Sequence, residues 1–358
     1  MTSETKNTFL SLIHLGIGHL SGPLPKQIDW SVIETLAAQQ GLSAIVVNGI
    51  EQLPLEARPP KSIMLEMIGA SLMVEQKTKQ QWQSTLELVG YLKEQGIITV
   101  GLKGVTIAQW YPNFSQRDSC DFDCILLKKN SDGTTGFAYE EGNRAVETLG
   151  VKVDKRIYVH SIFDYHGLTV ENHQFLSAVK LSKRHRKMDA FLRKLLVDEP
   201  LQPVMGSKLM MGSPMFNAVF LTHHAHRHFL NEYMPIKLLV DWALFVKNNP
   251  MLDWKLYQEY VDEYEMLRFS QSMTRLAGKM MGVSMPFELP EDAEADELLE
   301  KGLWDFPEAS SGKRTMFTRH FGIIRKLLHS RKKYKVFYDS SSLAMIVAYV
   351  KGYFFGEE

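Results

Sequence analysis

The sequence predicts an α+β protein: a small mixed sheet with flanking helices over residues 96–174, set between an N-terminal helical region, 1–95, and a C-terminal helical domain, 175–358. Three observations carry this. β-branched and apolar runs gather at Ile97–Leu102 and Phe122–Leu127. A second pair, Arg156–Phe163 and Leu168–His173, is joined through the turn-forming Asp164-Tyr165-His166-Gly167 and reads as a hairpin. On both sides of this region the apolar residues recur at helical spacing, broken by Gly and Pro.

In chain order, a helix led by Trp30 ends at Gly41 and is followed by a small apolar segment, Leu42–Ile50. Pro54–Pro60 forms a Pro-rich loop, and a long polar helix from Lys61 to Gln95 stops at Gly96. Ile97–Leu102 then runs as a buried strand into a turn at Lys103-Gly104, and a short helical stretch from Thr106 to Trp110 is closed by Pro112. Asp121-Phe122-Asp123 opens the second core strand. Lys128 and Lys129 read as its solvated end, Lys128–Gly136 as a loop, and Phe137–Leu149 as a helix stopped by Gly150. Val151–Asp154 reads as a strand ahead of the hairpin. Beyond Ala178 the chain is helical. Lys183–Lys187 is expected on a solvated face, with helices at Phe216–Leu230, Trp254–Tyr264 and Leu267–Met281. An acidic stretch, Glu288–Glu300, and a basic one, Lys313–Lys335, are expected to face each other or separate surfaces, and the methionines near 205–215 and 273–285 to serve as adaptable core.

At 358 residues with 45% hydrophobic content, the chain can bury a substantial core. Lys+Arg and Asp+Glu balance at 41 each, so no general basic field favours a nucleic-acid backbone, and a small substrate fits better. Cys120 and Cys124 are expected to be reduced and buried. Met1–Thr8 is polar, the apolar run from Phe9 is interrupted by His14, Gly16 and His19, and Leu343–Phe355 is too short to span a bilayer. These features point to a cytoplasmic protein without a membrane segment.

The chemistry concentrates around the second strand. Side chains alternate along a strand, so Asp121 and Asp123 share one face while Phe122 and Cys124 take the other. Two adjacent carboxylates repel unless a cation stands between them, and magnesium, which prefers oxygen ligands, is the natural candidate. A pair of solvated acids at a strand end is the plainer reading. Gly104 would let backbone N–H groups approach phosphate oxygens, and Lys103 either pairs with a phosphate or caps the strand. Glu171 on the hairpin could bring a third carboxylate, with His173 on the same face either contacting the reacting groups or supporting them.

A separate constellation, His223-His224-Ala225-His226-Arg227-His228, lies within one helix. His224 and His228, or His223 and His226, are helical neighbours, so a zinc site is geometrically open, although the glutamate of H-E-x-x-H is missing. Asp241 on the following helix could orient one of these histidines.

The order Leu102-Lys103-Gly104, Tyr111-Pro112, Arg117, then Asp121 and Asp123 before an apolar run resembles the nucleotidyltransferase superfamily that shares its core with DNA polymerase beta. Within it, the chain resembles the bacterial family described as uncharacterised nucleotidyltransferases, including its tryptophan-led early helix at Asp29-Trp30, its acid-x-His motif at Glu171-Asn172-His173, and a histidine-bearing helix before Leu239-Val240-Asp241-Trp242-Ala243. The resemblance implies a polymerase-beta-like core and transfer of a nucleoside monophosphate from an NTP to a hydroxyl or amine of a small-molecule or peptide acceptor. It implies Mg2+ or Mn2+ held by Asp121, Asp123 and Glu171, and phosphate contacts from Lys103, Gly104, Arg117 and Lys237. His173, His224, Arg227, His228 and Asp241 would line or support the cleft. Two positions depart from the superfamily: Lys103-Gly104 replaces Gly-Gly or Gly-Ser, and Arg117-Asp118-Ser119-Cys120 replaces a glycine-containing lead into the acids. A nucleotide-binding regulatory or scaffold protein of the same fold, with a protein partner, and a zinc hydrolase built on the histidine helix are the alternatives.

Overall fold

The computed structural model describes residues 1–19, 27–231, 233–287, 289–306, 330–337 and 347. Most of the basic stretch 313–335 and the apolar segment 343–355 therefore lie outside the described residues.

The N-terminal part is helical: α1 (Ser3–Gly16), α2 (Trp30–Gln40), α3 (Ser43–Glu51) and α4 (Lys61–Glu94). Asp29 caps α2 by accepting from the Val32 N–H, and Gly41 in the left-handed conformation ends it. The apolar segment 42–50 proves to be α3. It crosses α1 at contact distance because the crossing is built on glycine: a Cβ at Gly16 would stand 2.0 Å from the Ile45 carbonyl oxygen, and one at Gly49 2.0 Å from that of Leu12. The 34-residue α4 buries Leu88, Val89 and Leu92 against the sheet and delivers the chain into its first strand.

The sheet contains β1 (Ile97–Gly101), β2 (Phe122–Lys129), β3 (Thr135–Phe137), β4 (His160–Tyr165), β5 (Leu168–His173), β6 (Gln202–Pro203) and β7 (Met210–Met211). The order is β4-β5-β2-β1-β7-β6, with β3 paired to the far end of β2. β2 runs antiparallel to β1 and parallel to β5, which sets Asp123 opposite Glu171. The β4–β5 hairpin turns on His166 and Gly167 alone, both at positive φ (51° and 76°), as a two-residue turn matched to strand twist requires. Three strands went unanticipated: β3 lies in a stretch rich in polar residues and glycine, and β6 and β7 are two residues each. The expected strand at 151–154 reduces to one bridge, Asp154 with Ile162.

One face of the sheet carries Phe122, Cys124 and Leu126 against α4 and α5 (Tyr139–Glu147). Ile125 and Leu127, on the face shared with Asp123, join a different core. That core is formed by α1–α3 together with α6 (Lys183–Asp198), α7 (Pro214–Asn231), α8 (Ile236–Asn248), α9 (Trp254–Glu263), α10 (Leu267–Met281), α11 (Ala293–Leu303) and α12 (Arg331–Phe337). Its centre is the aromatic group Trp242, Phe245, Trp254 and Tyr257; the Tyr257 hydroxyl lies 2.6 Å from both Thr222 Oγ1 and Ser270 Oγ. The acids of the 292–300 region pair with α10: Asp292 with Arg268, Asp296 with Arg275 and Glu300 with Lys279. Among the described residues, no helix is long and apolar enough to cross a membrane. Cys124 is buried as expected, whereas Cys120, ahead of the strand, is exposed.

Gly49→Ala forces a methyl group into the Leu12 carbonyl, so the α1–α3 crossing must open at a cost of about 1–3 kcal/mol. Thermal melting checks this, and an unchanged melting temperature would refute the glycine-dependent crossing.

Candidate active site

β1 ends at Gly101, where a Cβ would lie 2.0 Å from Thr106 Oγ1, so the strand packs on the following 3-10 turn (Gly104–Trp110) at a distance that a side chain at 101 would disturb. Gly104 holds φ +64°, with Ser119 Oγ and the Asp121 carbonyl 3.3 Å from where its Cβ would stand. This turn aims Lys103 back over β2, where its Nζ lies 3.0 Å from Asp123 Oδ1.

Asp123 is fully buried at 0% exposure. His173 Nε2, arriving from β5, is 3.1 Å from the same Oδ1, and its Nδ1 is 3.3 Å from the Phe175 carbonyl oxygen. Both imidazole nitrogens thus face acceptors and can donate together only in the protonated ring. Burial lowers the His173 pKa, but the hydrogen bonds to Asp123 and Glu171 outweigh it and raise the value from 6.5 to about 8. Burial likewise pushes Asp123 up, yet His173 and Lys103 hold it far below the carboxylate range. Glu171 Oε2 stands 3.6 Å from His173 Nε2. The donor atoms of Asp123, Glu171 and His173 all lie within 4.8 Å of one another.

Asp123 Oδ2 is buried and has no hydrogen-bond partner among the described residues. An orphaned carboxylate oxygen beside a second carboxylate is an atom that a divalent cation satisfies, so this donor set fits a metal. Asp121, immediately before β2, is outside the three-residue cluster. Burial first and the Asp123 charge second raise its pKa.

Arg117 and Asp241 meet each other, both nearly fully buried. Arg117 Nη2 donates to Asp241 Oδ2 at 2.7 Å and Nε to Oδ1 at 3.1 Å, and the Tyr111 hydroxyl donates to Oδ1 at 2.7 Å. Lys237 Nζ donates to the Asp118 carbonyl at 3.0 Å. In this arrangement the two cations read as phosphate ligands from sequence fasten the loop leading into the acids. His224 lines a small cavity with Lys103, Arg117 and Asp241, and burial keeps its pKa well below the ordinary value. The His228 ring packs edge-on to His224, centroids 4.5 Å apart. Arg227 lines a different cavity. His226 stacks on Phe269 at 4.6 Å, and among the described residues no α7 histidine belongs to a three-donor metal cluster. Lys128 pairs with Glu141 and Lys129 donates to Thr135 at the far end of β2.

Sequence reasoning gave His160 no role. It pairs with His173 across the hairpin, its ring 5.1 Å away, and its Nε2 is 3.7 Å from Glu171 Oε2. Only the hairpin register could have revealed it. Tyr111 was read in a motif, but its bond to a residue 130 positions away carries no sequence signal.

A family model described as Uncharacterised nucleotidyltransferase matches residues 26–282, which include both sheet-borne acids, the hairpin and α7 through α10. No curated protein and no solved structure matches the chain.

Two outcomes follow from this geometry. Arg117→Met leaves Asp241 buried without its cation and lowers stability by about 3–5 kcal/mol in urea denaturation; Arg117→Met/Asp241→Leu recovers much of that loss. In metal-free protein the raised His173 pKa contributes stability that is complete below pH 6.5 and is lost as pH rises through about 8. Melting in chelator across that window should show the decline, and His173→Gln should flatten it.

Proposed function

Because the chain belongs to this family of uncharacterised nucleotidyltransferases, we propose that the Asp123–Glu171–His173 cluster is a divalent-metal centre, Mg2+ or Mn2+, for transferring a nucleoside monophosphate from an NTP to a hydroxyl or amine of a small acceptor. The observation that carries this reading is the buried, unpartnered Asp123 Oδ2 directly across the strand pair from Glu171. A bound metal would supply neutralisation of phosphate charge and acidification of the acceptor hydroxyl. Asp123 and Glu171 would hold it, with Asp121 at the edge of the same charge cluster as an additional carboxylate.

The other residues have defined tasks. Lys103, paired with Asp123 from a glycine-flanked turn, is the cation placed to meet a phosphate as a point charge. Gly104 leaves the turn open to a phosphate oxygen. His173, with His160 behind it, stands beside both carboxylates and can take the acceptor proton when unprotonated. Arg117, Tyr111 and Asp241 hold the loop that orients Asp121 and Asp123, and Lys237 secures it from α8. His224 borders the cleft from α7.

Asp123→Asn and Glu171→Gln should each reduce nucleotide-dependent pyrophosphate release, measured with Mg2+ or Mn2+ and an acceptor mixture, by at least about a hundredfold. Both should keep a cooperative melt. Retained turnover in Asp123→Asn would sink the assignment. If the wild type binds an NTP with metal, seen as a raised melting temperature, but releases no pyrophosphate with any acceptor, a nucleotide-binding regulatory protein becomes the reading.

A further inference from the structure

The third donor of the acid cluster is a nitrogen. His173 and Glu171 stand two residues apart on β5 and so share a face, and Asp123 lies opposite Glu171 on β2. This brings His173 Nε2 to 3.1 Å from Asp123 Oδ1 and 3.6 Å from Glu171 Oε2. The outer nitrogen, Nδ1, meets the Phe175 carbonyl oxygen at 3.3 Å. A hydrogen held on Nδ1 by that carbonyl leaves Nε2 with its lone pair, facing both carboxylates.

The carbonyl that sets this tautomer is itself fixed. It shares a planar peptide with the Leu176 N–H, which donates to Asp189 Oδ1 at 2.6 Å. The Gln174 and Phe175 N–H groups both donate to the Val159 carbonyl, at 2.9 and 3.1 Å, and Arg193 Nη1 donates to the Gln174 carbonyl at 2.7 Å. The His160 ring lies 5.1 Å from the imidazole, inclined by 35°. A histidine tied to a backbone carbonyl through one nitrogen, with the other among carboxylates, has the second-layer support that orients metal-bound imidazoles.

We infer that His173 is a metal ligand through Nε2, and that this nitrogen makes the centre select a first-row transition ion such as Mn2+ over Mg2+. The inference rests on the metal-centre reading of the cluster and deepens it. Mg2+ keeps to oxygen ligands and to its waters, whereas first-row transition ions accept imidazole nitrogen beside carboxylate oxygen. Asp121, which could have completed an all-oxygen set, is outside the three-donor cluster. In the metal-loaded centre the Nε2 lone pair is committed to the ion, which leaves the acceptor proton to another group.

The test is electron spin-echo spectroscopy of the whole protein loaded with Mn2+, which detects nitrogen bonded to the ion, together with calorimetric titration by Mn2+ and by Mg2+. Wild type, Asp123→Asn, His173→Gln and His160→Gln are compared, each first shown to melt cooperatively. The expected result is a nitrogen modulation in wild type and His160→Gln that is absent from His173→Gln. Calorimetry should show Mn2+ binding weakened about tenfold or more by His173→Gln, with Mg2+ binding changed less than about threefold. Should His173→Gln fail to fold, wild type and His160→Gln grown with 15N-histidine must both move the modulation to the 15N frequency. The inference is overturned if Mn2+ binding depends on Asp123 yet shows no nitrogen coupling, if the coupling disappears in His160→Gln instead, or if wild type binds Mg2+ as tightly as Mn2+. Failure of the metal-centre reading looks different and takes this inference with it: wild type binds no Mn2+, or Asp123→Asn binds it equally well.

Discussion

A carboxylate buried in the centre of a sheet sets the terms for the rest of this molecule. Desolvating an ion costs several kcal/mol even after relaxation, so the Asp123 charge requires matched partners, and they come from two separate elements. Lys103 reaches it from the turn after β1, and His173 from the neighbouring parallel strand β5. Each approach depends on local backbone geometry: glycines at 101 and 104 for the turn, and the parallel register for the histidine. One oxygen of the carboxylate is left over, and that surplus acceptor is the one the proposed metal would use.

The loop that carries the chain into Asp121 and Asp123 is fastened from both sides. From α4, Lys77 bonds the Asp118 carboxylate, Thr78 the Arg117 carbonyl and Gln81 the Ser119 carbonyl. From α8, Lys237 takes the Asp118 carbonyl and Asp241 the Arg117 guanidinium. The sheet-side helix and the helical half are therefore held to the same few residues. Side chains that looked available to a ligand when seen one at a time are partners of one another. The lead Arg117-Asp118-Ser119-Cys120 is a loop held through side chains.

The sheet's central strands, the hairpin and most helices were legible because periodicity and turn residues report local backbone preferences. Strand alternation marked Asp123, and put Glu171 and His173 on one face of their own strand, while the choice of Glu171 as the third acid came from the acid-x-His motif of the family it resembles. The pairing of Arg117 with Asp241, the second histidine at 160, and the inward turn of Arg184 and His185 from a run expected to be solvated were not. All three depend on tertiary contacts between residues far apart in sequence. Two-residue strands such as β6 and β7 are likewise stabilised by their neighbours rather than by their own composition.

The hairpin between β4 and β5 has a consequence for how this chain can vary in length. With only His166 and Gly167 in the turn, each residue of β4 has a fixed partner on β5, and β5 is fixed in turn against β2. One residue added to the tip would slide the ladder and exchange the faces of β5, carrying Glu171 and His173 away from Asp123 and turning Val170 and Asn172 toward it. A segment such as 177–182, which joins β5 to α6 and belongs to no such ladder, can absorb insertions. The hairpin tip thus serves as a ruler for the acid cluster.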